Sequence, residues 1–255
     1  MLIGVMDSGI GGLTTLAEII RVRGGGSYVY FSDDAHCPYG NKSKDEIYLT
    51  VKSGAERLMR EGAECIVLAC NTATACAIDE LRAEFESFTF VGTEPCINTA
   101  KIYGKKLCVL ATPATLSSSR FLRLSQGAEC TFPRCNLLAA EIEKSFPSFL
   151  SAKQLLTQIL APYRGTRFDA AVLGCTHYCL LKRHIEKLLA CPVKDGNNGV
   201  ARRLRRLTGA DSSPVSVELI SSSGNICTLR AAANAILRQA VQAVSMSGEG
   251  GATLF

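Results

Sequence analysis

Two apolar runs in this chain break off at a cysteine in the same way, and their spacing narrows the possible folds more than any other feature. Leu173-Gly174-Cys175-Thr176-His177 and Leu68-Ala69-Cys70-Asn71-Thr72 each end an apolar run in a small residue, cysteine and two polar residues, with a helical pattern following. A short apolar run ahead of a helix reads as a buried parallel strand. Its terminal cysteine then lies at the carboxyl edge of a sheet, where open α/β sheets bind ligands. A helix N-terminus nearby favours the thiolate. Asp7 precedes Cys70 by 63 positions, and Thr112 precedes Cys175 by 63. Asp7 and Thr112 themselves close apolar runs, 2–6 and 107–111. A strand-then-polar-loop unit thus recurs at an offset of 105 residues. That exceeds the period of roughly 20–50 residues of a solenoid and suits a duplicated lobe. Two such lobes face to face bring one cysteine from each to a shared cleft.

The remaining pattern alternates. Strands are expected at 28–31, 65–69, 89–92, 130–132, 170–174 and 192–194, with helical periodicity between them. Ser43 with Glu46 forms a capping box ahead of Ile47, Val51, Ala55 and Leu58. Such alternation predicts an α/β fold of two pseudo-symmetric lobes, each a mostly parallel sheet flanked by helices, with the active site between them. The first lobe is expected to take 1–93 plus 208–255, and the second 94–207. The pattern alone leaves open whether the half-exposed strand at 215–219 and the last helix, with Leu229, Ala233, Ile236 and Ala240 on one face, return to the first sheet. The Gly-rich tail from Ser245 is expected to fray.

Composition excludes several classes. No run in the 255 residues approaches the ~20 apolar positions of a membrane span. No basic segment with an apolar export core follows Met1, which predicts a cytoplasmic protein. The twelve cysteines are then expected to stay reduced, most as small core residues such as Cys65, Cys76 and Cys108. The net charge of +5 is mild. Its densest cluster, Arg202-Arg203-Leu204-Arg205-Arg206, has no interleaved aromatic residues, so a solvated helix face is favoured over a nucleic-acid surface.

Two thiols across a cleft can act as acid and base on opposite faces of one carbon. A free thiol has a pKa of about 8.5, so each needs a helper near neutral pH. Asp7 is the acid of the first loop, and His177 sits two residues after Cys175 at a strand end. Singly, each has a structural reading: a strand-end cysteine packs, Asp7 caps a turn, His177 fills a core. Other chemistries fit less well. A Cys-x5-Arg phosphatase loop would need arginine where Cys76 and Leu181 stand. Cys175, His177 and Cys179 lack a CxxC pair or second cluster for zinc, so no metal is expected. A Cys175–His177 hydrolase dyad stays open, although residues two apart at a strand end point in different directions. Gly9, Gly11 and Gly12 lack the spacing of a dinucleotide fingerprint and read at most as an anion cradle.

Several stretches in order resemble the cofactor-independent glutamate racemases of the aspartate/glutamate racemase superfamily. They are Gly4-Val5-Met6-Asp7-Ser8-Gly9-Ile10-Gly11-Gly12-Leu13, Pro38-Tyr39-Gly40, Ala69-Cys70-Asn71-Thr72-Ala73, Glu94-Pro95, Leu110-Ala111-Thr112-Pro113 and Leu173-Gly174-Cys175-Thr176-His177-Tyr178. The resemblance implies an isomerase that interconverts L- and D-glutamate for peptidoglycan synthesis. It makes Cys70 and Cys175 the catalytic thiols, with Asp7 and His177 assisting. Asp7, Ser8, Tyr39, Gly40, Asn71, Thr72, Thr176 and His177 would line the substrate site. It implies no cofactor and leaves a homodimer open. The chain departs from the family pattern at Thr131, Asp34, Gly196 and Ala114, and at Ala139, where the family carries a glutamate that Glu141 could replace by a local shift. Asp34, if it faced the cleft, would repel a substrate carboxylate. An aspartate or broad acidic-amino-acid racemase, and a silent bilobal amino-acid-binding protein, are the alternatives.

Overall fold

The computed structural model describes residues 1–246 and 253–254. Chain order begins β1 (Leu2–Asp7), α1 (Leu13–Arg23), β2 (Gly24–Ser32), α2 (Lys44–Arg60), β3 (Cys65–Leu68), α3 (Asn71–Glu84) and β4 (Thr89–Gly92). Next come α4 (Ile97–Ala100), β5 (Lys106–Ala111), α5 (Pro113–Leu116), α6 (Ser119–Ser125), β6 (Glu129–Thr131), α7 (Leu138–Ser145), α8 (Leu150–Leu160) and β7 (Ala170–Gly174). The chain continues with α9 (Thr176–Cys179), α10 (Lys182–Leu189), β8 (Val193–Asp195), α11 (Asn197–Thr208), β9 (Asp211–Ser221), α12 (Ile226–Met246) and β10 (Thr253–Leu254). Among the described residues the strands form two sheets, β10-β9-β2-β1-β3-β4 and β6-β5-β7-β8. Every pairing in both is parallel. The expected two-lobed α/β fold is therefore the fold observed.

Parallel strands need helices on both faces, so their side chains are buried on both sides. In β1 and β3 every side chain from Ile3 to Met6 and from Cys65 to Leu68 is buried. One face of the larger sheet packs on α1, α11 and α12 through Leu16, Ile20, Leu204 and Leu237; the other packs on α2 and α3 through Val51, Leu58 and Leu81. The capping box of Ser43 and Glu46 is present at the start of α2.

The C-terminal return left open above is a pairing of β9 with β2, from Val215 opposite Gly26 to Ser221 opposite Ser32. The fraying expected beyond Ser245 falls mostly on 247–252 and 255, outside the described residues; β10 pairs with β9 at Thr253 opposite Ser216. The basic helix α11 buries Val200, Ala201 and Leu204 in the core of the larger sheet, while Arg202, Arg203, Arg205 and Arg206 stay exposed. Full burial of an aliphatic side chain contributes roughly 1.5–3 kcal/mol, so the apolar stripe orients this helix and the arginines take the solvent side. The sequence pattern missed α7, although Leu138, Ala139 and Ile142 have helical spacing and are buried.

The glycines after β1 serve the junction of the two sheets. A Cβ on Gly11 would come within 2.6 Å of the His177 backbone nitrogen, and one on Gly9 within 1.8 Å of Glu143 Oε1. Only a turn without side chains lets the second lobe approach this closely.

Candidate active site

Asp7 ends β1 fully buried. Its Oδ2 accepts the Gly12 N–H at 2.9 Å, and Thr176 Oγ1 from the other lobe lies 3.1 Å from both carboxylate oxygens. These bonds satisfy a carboxylate that is otherwise costly to bury. Burial still prevails over them and over the nearby His177, pushing the Asp7 pKa up to about 6. A carboxylate poised there can exchange a proton near neutral pH.

Cys70 follows β3 and caps α3, its Sγ accepting the Ala73 N–H at 3.5 Å. Ser8 Oγ lies 4.0 Å from that sulfur. Burial pushes the Cys70 thiol well up, and the charges of Asp7 and Cys175 push the same way. The thiolate therefore needs a cation or a proton acceptor beside it before it forms.

Cys175 follows β7 with its Sγ 3.8 Å from His177 Nδ1. His177 is buried, and its Nε2 lies 2.6 Å from Glu143 Oε1. The same oxygen accepts the Ile10 N–H at 2.6 Å. Burial disfavours a charged imidazole, but the bonds with Cys175, Cys37 and Glu143 outweigh it and hold the His177 pKa well above its usual value. The glycine turn thus does cradle a carboxylate, the protein's own. It orients Glu143 on the ring, which is held in turn toward the Cys175 sulfur.

Some of the residues expected around these thiols meet across the two lobes. Thr72 Oγ1 lies 2.8 Å from Thr112 Oγ1, linking α3 to the loop after β5. Gly40 packs so tightly on Thr112 that a Cβ would fall 2.8 Å from the threonine Cβ. Tyr39 is buried and donates its hydroxyl to Asp33 at 2.5 Å. Asn71 holds a buried Oδ1 with no hydrogen-bond partner among the described residues. An orphaned buried acceptor costs about 1–3 kcal/mol, which a ligand N–H would relieve.

Sequence reasoning missed Glu143. It looked for an acid at Ala139 or Glu141, yet Ala139 and Glu143 are the pair that share a helix face, four residues apart. A shift of one full turn keeps the carboxylate directed at the same ring. A shift of two residues does not, and Glu141 instead accepts a bond from Ser151 on the surface. Asp34 does not face the cleft: its carboxylate takes bonds from Ser221 at 2.9 Å, Ser222 at 3.4 Å and the Ser223 N–H at 3.2 Å. The Cys175, His177 and Cys179 trio does not converge, since Cys179 Sγ turns to the Cys175 carbonyl oxygen at 3.8 Å. Cys37, in the loop after β2, reaches the His177 ring from the first lobe.

Fold and site together define the class, that of two-lobed α/β racemases. A glutamate racemase isoform of Bacillus anthracis is 28% identical and superposes with a TM-score of 0.79, covering 93% of this chain and 94% of that one. The glutamate racemase of Francisella tularensis, solved in complex with D-glutamate, is 26% identical with a TM-score of 0.76, covering 92% of this chain and 93% of that one. In sequence, the glutamate racemase of Clostridium botulinum is 32% identical over 237 residues, 88% of this chain and 92% of that protein. The Asp/Glu/Hydantoin racemase family matches residues 3–204, and the chain belongs to it, as an isomerase among the glutamate racemases.

Proposed function

We propose that the chain interconverts L- and D-glutamate by moving the α-proton between two thiols, Cys70 and Cys175, without a cofactor. The observation that carries this reading is the pair of buried thiols, one from each sheet edge, each with its own acid–base group: Asp7 for Cys70 and His177 with Glu143 for Cys175. One thiolate removes the α-proton, and the electron pair left on carbon is delocalised into the α-carboxylate. The opposite thiol returns a proton to the other face. The two sulfurs end with exchanged protonation states, and turnover of the other enantiomer restores the first. The bound ammonium of an amino acid supplies the positive charge that a buried Cys70 thiolate requires.

Asn71 Oδ1 suits that ammonium, because it is a buried acceptor without a partner among the described residues. Ser8, Tyr39, Gly40, Thr72, Thr176 and His177 supply the hydroxyl, backbone and ring donors that two carboxylates call for. The D-glutamate complex of the Francisella relative and the name of the Clostridium relative support glutamate over aspartate. Lobe boundaries of 1–93 plus 208–255 and 94–207 accompany this reading, although α11, which those bounds give almost wholly to the second lobe, packs in the core of the larger sheet. So does a cytoplasmic role in supplying D-glutamate for peptidoglycan, as a monomer or a homodimer. Among the described residues no helix is long and apolar enough to cross a membrane.

The test is proton NMR of the protein with L-glutamate in D2O, without added pyridoxal phosphate, with circular dichroism followed in parallel. The expected result is joint loss of the α-proton signal and of optical activity. Reaction with L-aspartate alone would overturn the substrate. Binding of glutamate without exchange would favour the silent binding protein.

A further inference from the structure

One side chain in the cleft meets the two-thiol machinery only through the His177 ring. Cys37 arrives on the loop after β2, in the first lobe, while Glu143 and His177 come from α7 and α9 in the second. One ligand atom from each of the three lies within 4.8 Å of the other two. His177 is buried; Cys37 and Glu143 are half-buried. We propose that Cys37, Glu143 and His177 form a three-ligand site for a borderline-soft divalent cation, Zn2+ by its ligand set, and that the bound cation stops racemisation.

The donor set is thiolate, imidazole and carboxylate, the three groups from which zinc sites are built. Bonds of about 2.3 Å to sulfur and about 2.0–2.2 Å to nitrogen and oxygen put tetrahedral ligand atoms about 3.5 Å apart. The three groups need to close by about 1 Å from their present limit, and His177 Nε2 and Glu143 Oε1 need to spread by a similar amount from 2.6 Å. The cation would replace the proton these two atoms share. The Cys37 thiol and the imidazolium each release a proton to solvent, and water or a substrate carboxylate completes the fourth position. Outer contacts are already in place: Ile10 N–H on Glu143 Oε1, and Cys175 Sγ 3.8 Å from His177 Nδ1. Such partners orient ligands and sharpen affinity.

Two consequences follow from the geometry. A His177 held by a cation at Nε2 keeps one proton on Nδ1 but can no longer switch between its neutral and charged forms, so it stops exchanging a proton with Cys175. A cation with one ligand from the first lobe and two from the second ties the lobes together across the site, which hinders entry and release of substrate.

The test uses the whole chain and Co2+ as a spectroscopic stand-in, so that binding is read without activity. The native protein should bind one equivalent and develop thiolate-to-cobalt charge-transfer absorption in the near ultraviolet. Zn2+ should raise its Tm and abolish racemisation, and a chelator should restore the activity. Cys37→Val, whatever rate of racemisation it retains, should lose the charge-transfer band and the Zn2+-dependent rise in Tm. Its half-inhibitory Zn2+ concentration should rise by more than the roughly 10–100-fold that loss of an outer partner costs. Glu143→Gln, read only by cobalt binding, should weaken the site as well. An unchanged band or unchanged zinc sensitivity in Cys37→Val would overturn the proposal, pointing instead to Cys70 or Cys175 as the ligand. Because the cobalt spectrum needs no turnover, its failure is distinct from failure of the glutamate reading.

Discussion

Cys70 and Cys175 stand at equivalent strand ends, each 63 residues after its partner loop, yet the two junctions are not copies. In the larger sheet Met6 pairs with Leu68, 62 apart, whereas in the smaller Ala111 pairs with Gly174, 63 apart. The same sequence spacing therefore conceals a one-residue difference in register. Cys70 lies one step further past its sheet and caps α3, with its sulfur on the Ala73 N–H. Cys175 stays extended, at φ −153°, and makes no such cap bond. Its sulfur turns to His177 instead. One thiol is thus served by a helix N-terminus and a buried carboxylic acid, the other by an imidazole on a carboxylate. Two different devices for one task are what chemistry on the two faces of one carbon allows, since each face needs only its own proton carrier.

The largest effect breaks the comparison outright. Cys70→Ala and Cys175→Ala should each reduce racemisation by at least the 10²–10⁴-fold typical of a lost acid–base group, with circular dichroism confirming an intact fold. An active single variant would mean that another group can serve that face.

The helpers sharpen the comparison. His177→Asn and Asp7→Asn should each cost roughly 10²-fold in kcat/KM. Enantiomers have equal free energy, so kcat/KM must fall equally in the two directions whichever helper is removed. The asymmetry should appear in the primary isotope effect of α-deuterated substrate. His177→Asn should raise it for the enantiomer that Cys175 deprotonates, and Asp7→Asn for the other. The same direction of change in both variants would refute separate assignment of the helpers. Glu143→Gln should follow His177→Asn at smaller size, while Glu141→Gln should leave the rate unchanged.

Asp7 also links the site to stability. Its folded pKa of about 6 lies above the usual 3.8, so the native state binds the extra proton between those values. Stability is then full below about pH 4 and declines as pH rises through 6, by about 3 kcal/mol at 1.36 kcal/mol per pKa unit. Asp7→Asn removes this cost. Melting followed from pH 4 to 7 should show the variant gaining on the native protein as pH rises.

The sheets and both thiols were legible because a buried parallel strand is a local pattern, a short apolar run ended by small and polar residues. Asp7 and His177 were legible for the same reason, as they sit at strand ends. Glu143 was not. It lies mid-helix, and what brings it to His177 is packing of α7 against α9, a long-range fact with no local mark. Its helical spacing with Ala139 was the available signal. The register shift between the sheets was hidden too, because spacing counts residues and not the hydrogen bonds that align strands. Asp34 shows the converse: a carboxylate next to a site motif in sequence can turn away when a serine-rich turn from β9 offers it donors.

Asp34 gives the smallest expected effect and a contrast with Asp7. Burial pushes the Asp34 carboxyl up, but the bonds from Ser223 and Ser221 outweigh it and hold the carboxyl below its usual pKa. The sign is therefore opposite to that of Asp7: its contribution is present above the unfolded value near 3.8 and fades as pH falls through the lower folded value. Hydrogen bonds to a charged group contribute about 1.5–3 kcal/mol when sheltered. Asp34 is half-buried, and partial screening by solvent reduces this to about 1 kcal/mol. Asp34→Thr should lower stability by that amount at pH 7 and by less in acid. It should leave KM for glutamate unchanged, because the carboxylate is bound to the Ser221–Ser223 turn and not to the cleft. A lowered KM in this variant would mean that the charge does reach the substrate, and the turn would then have to open during turnover.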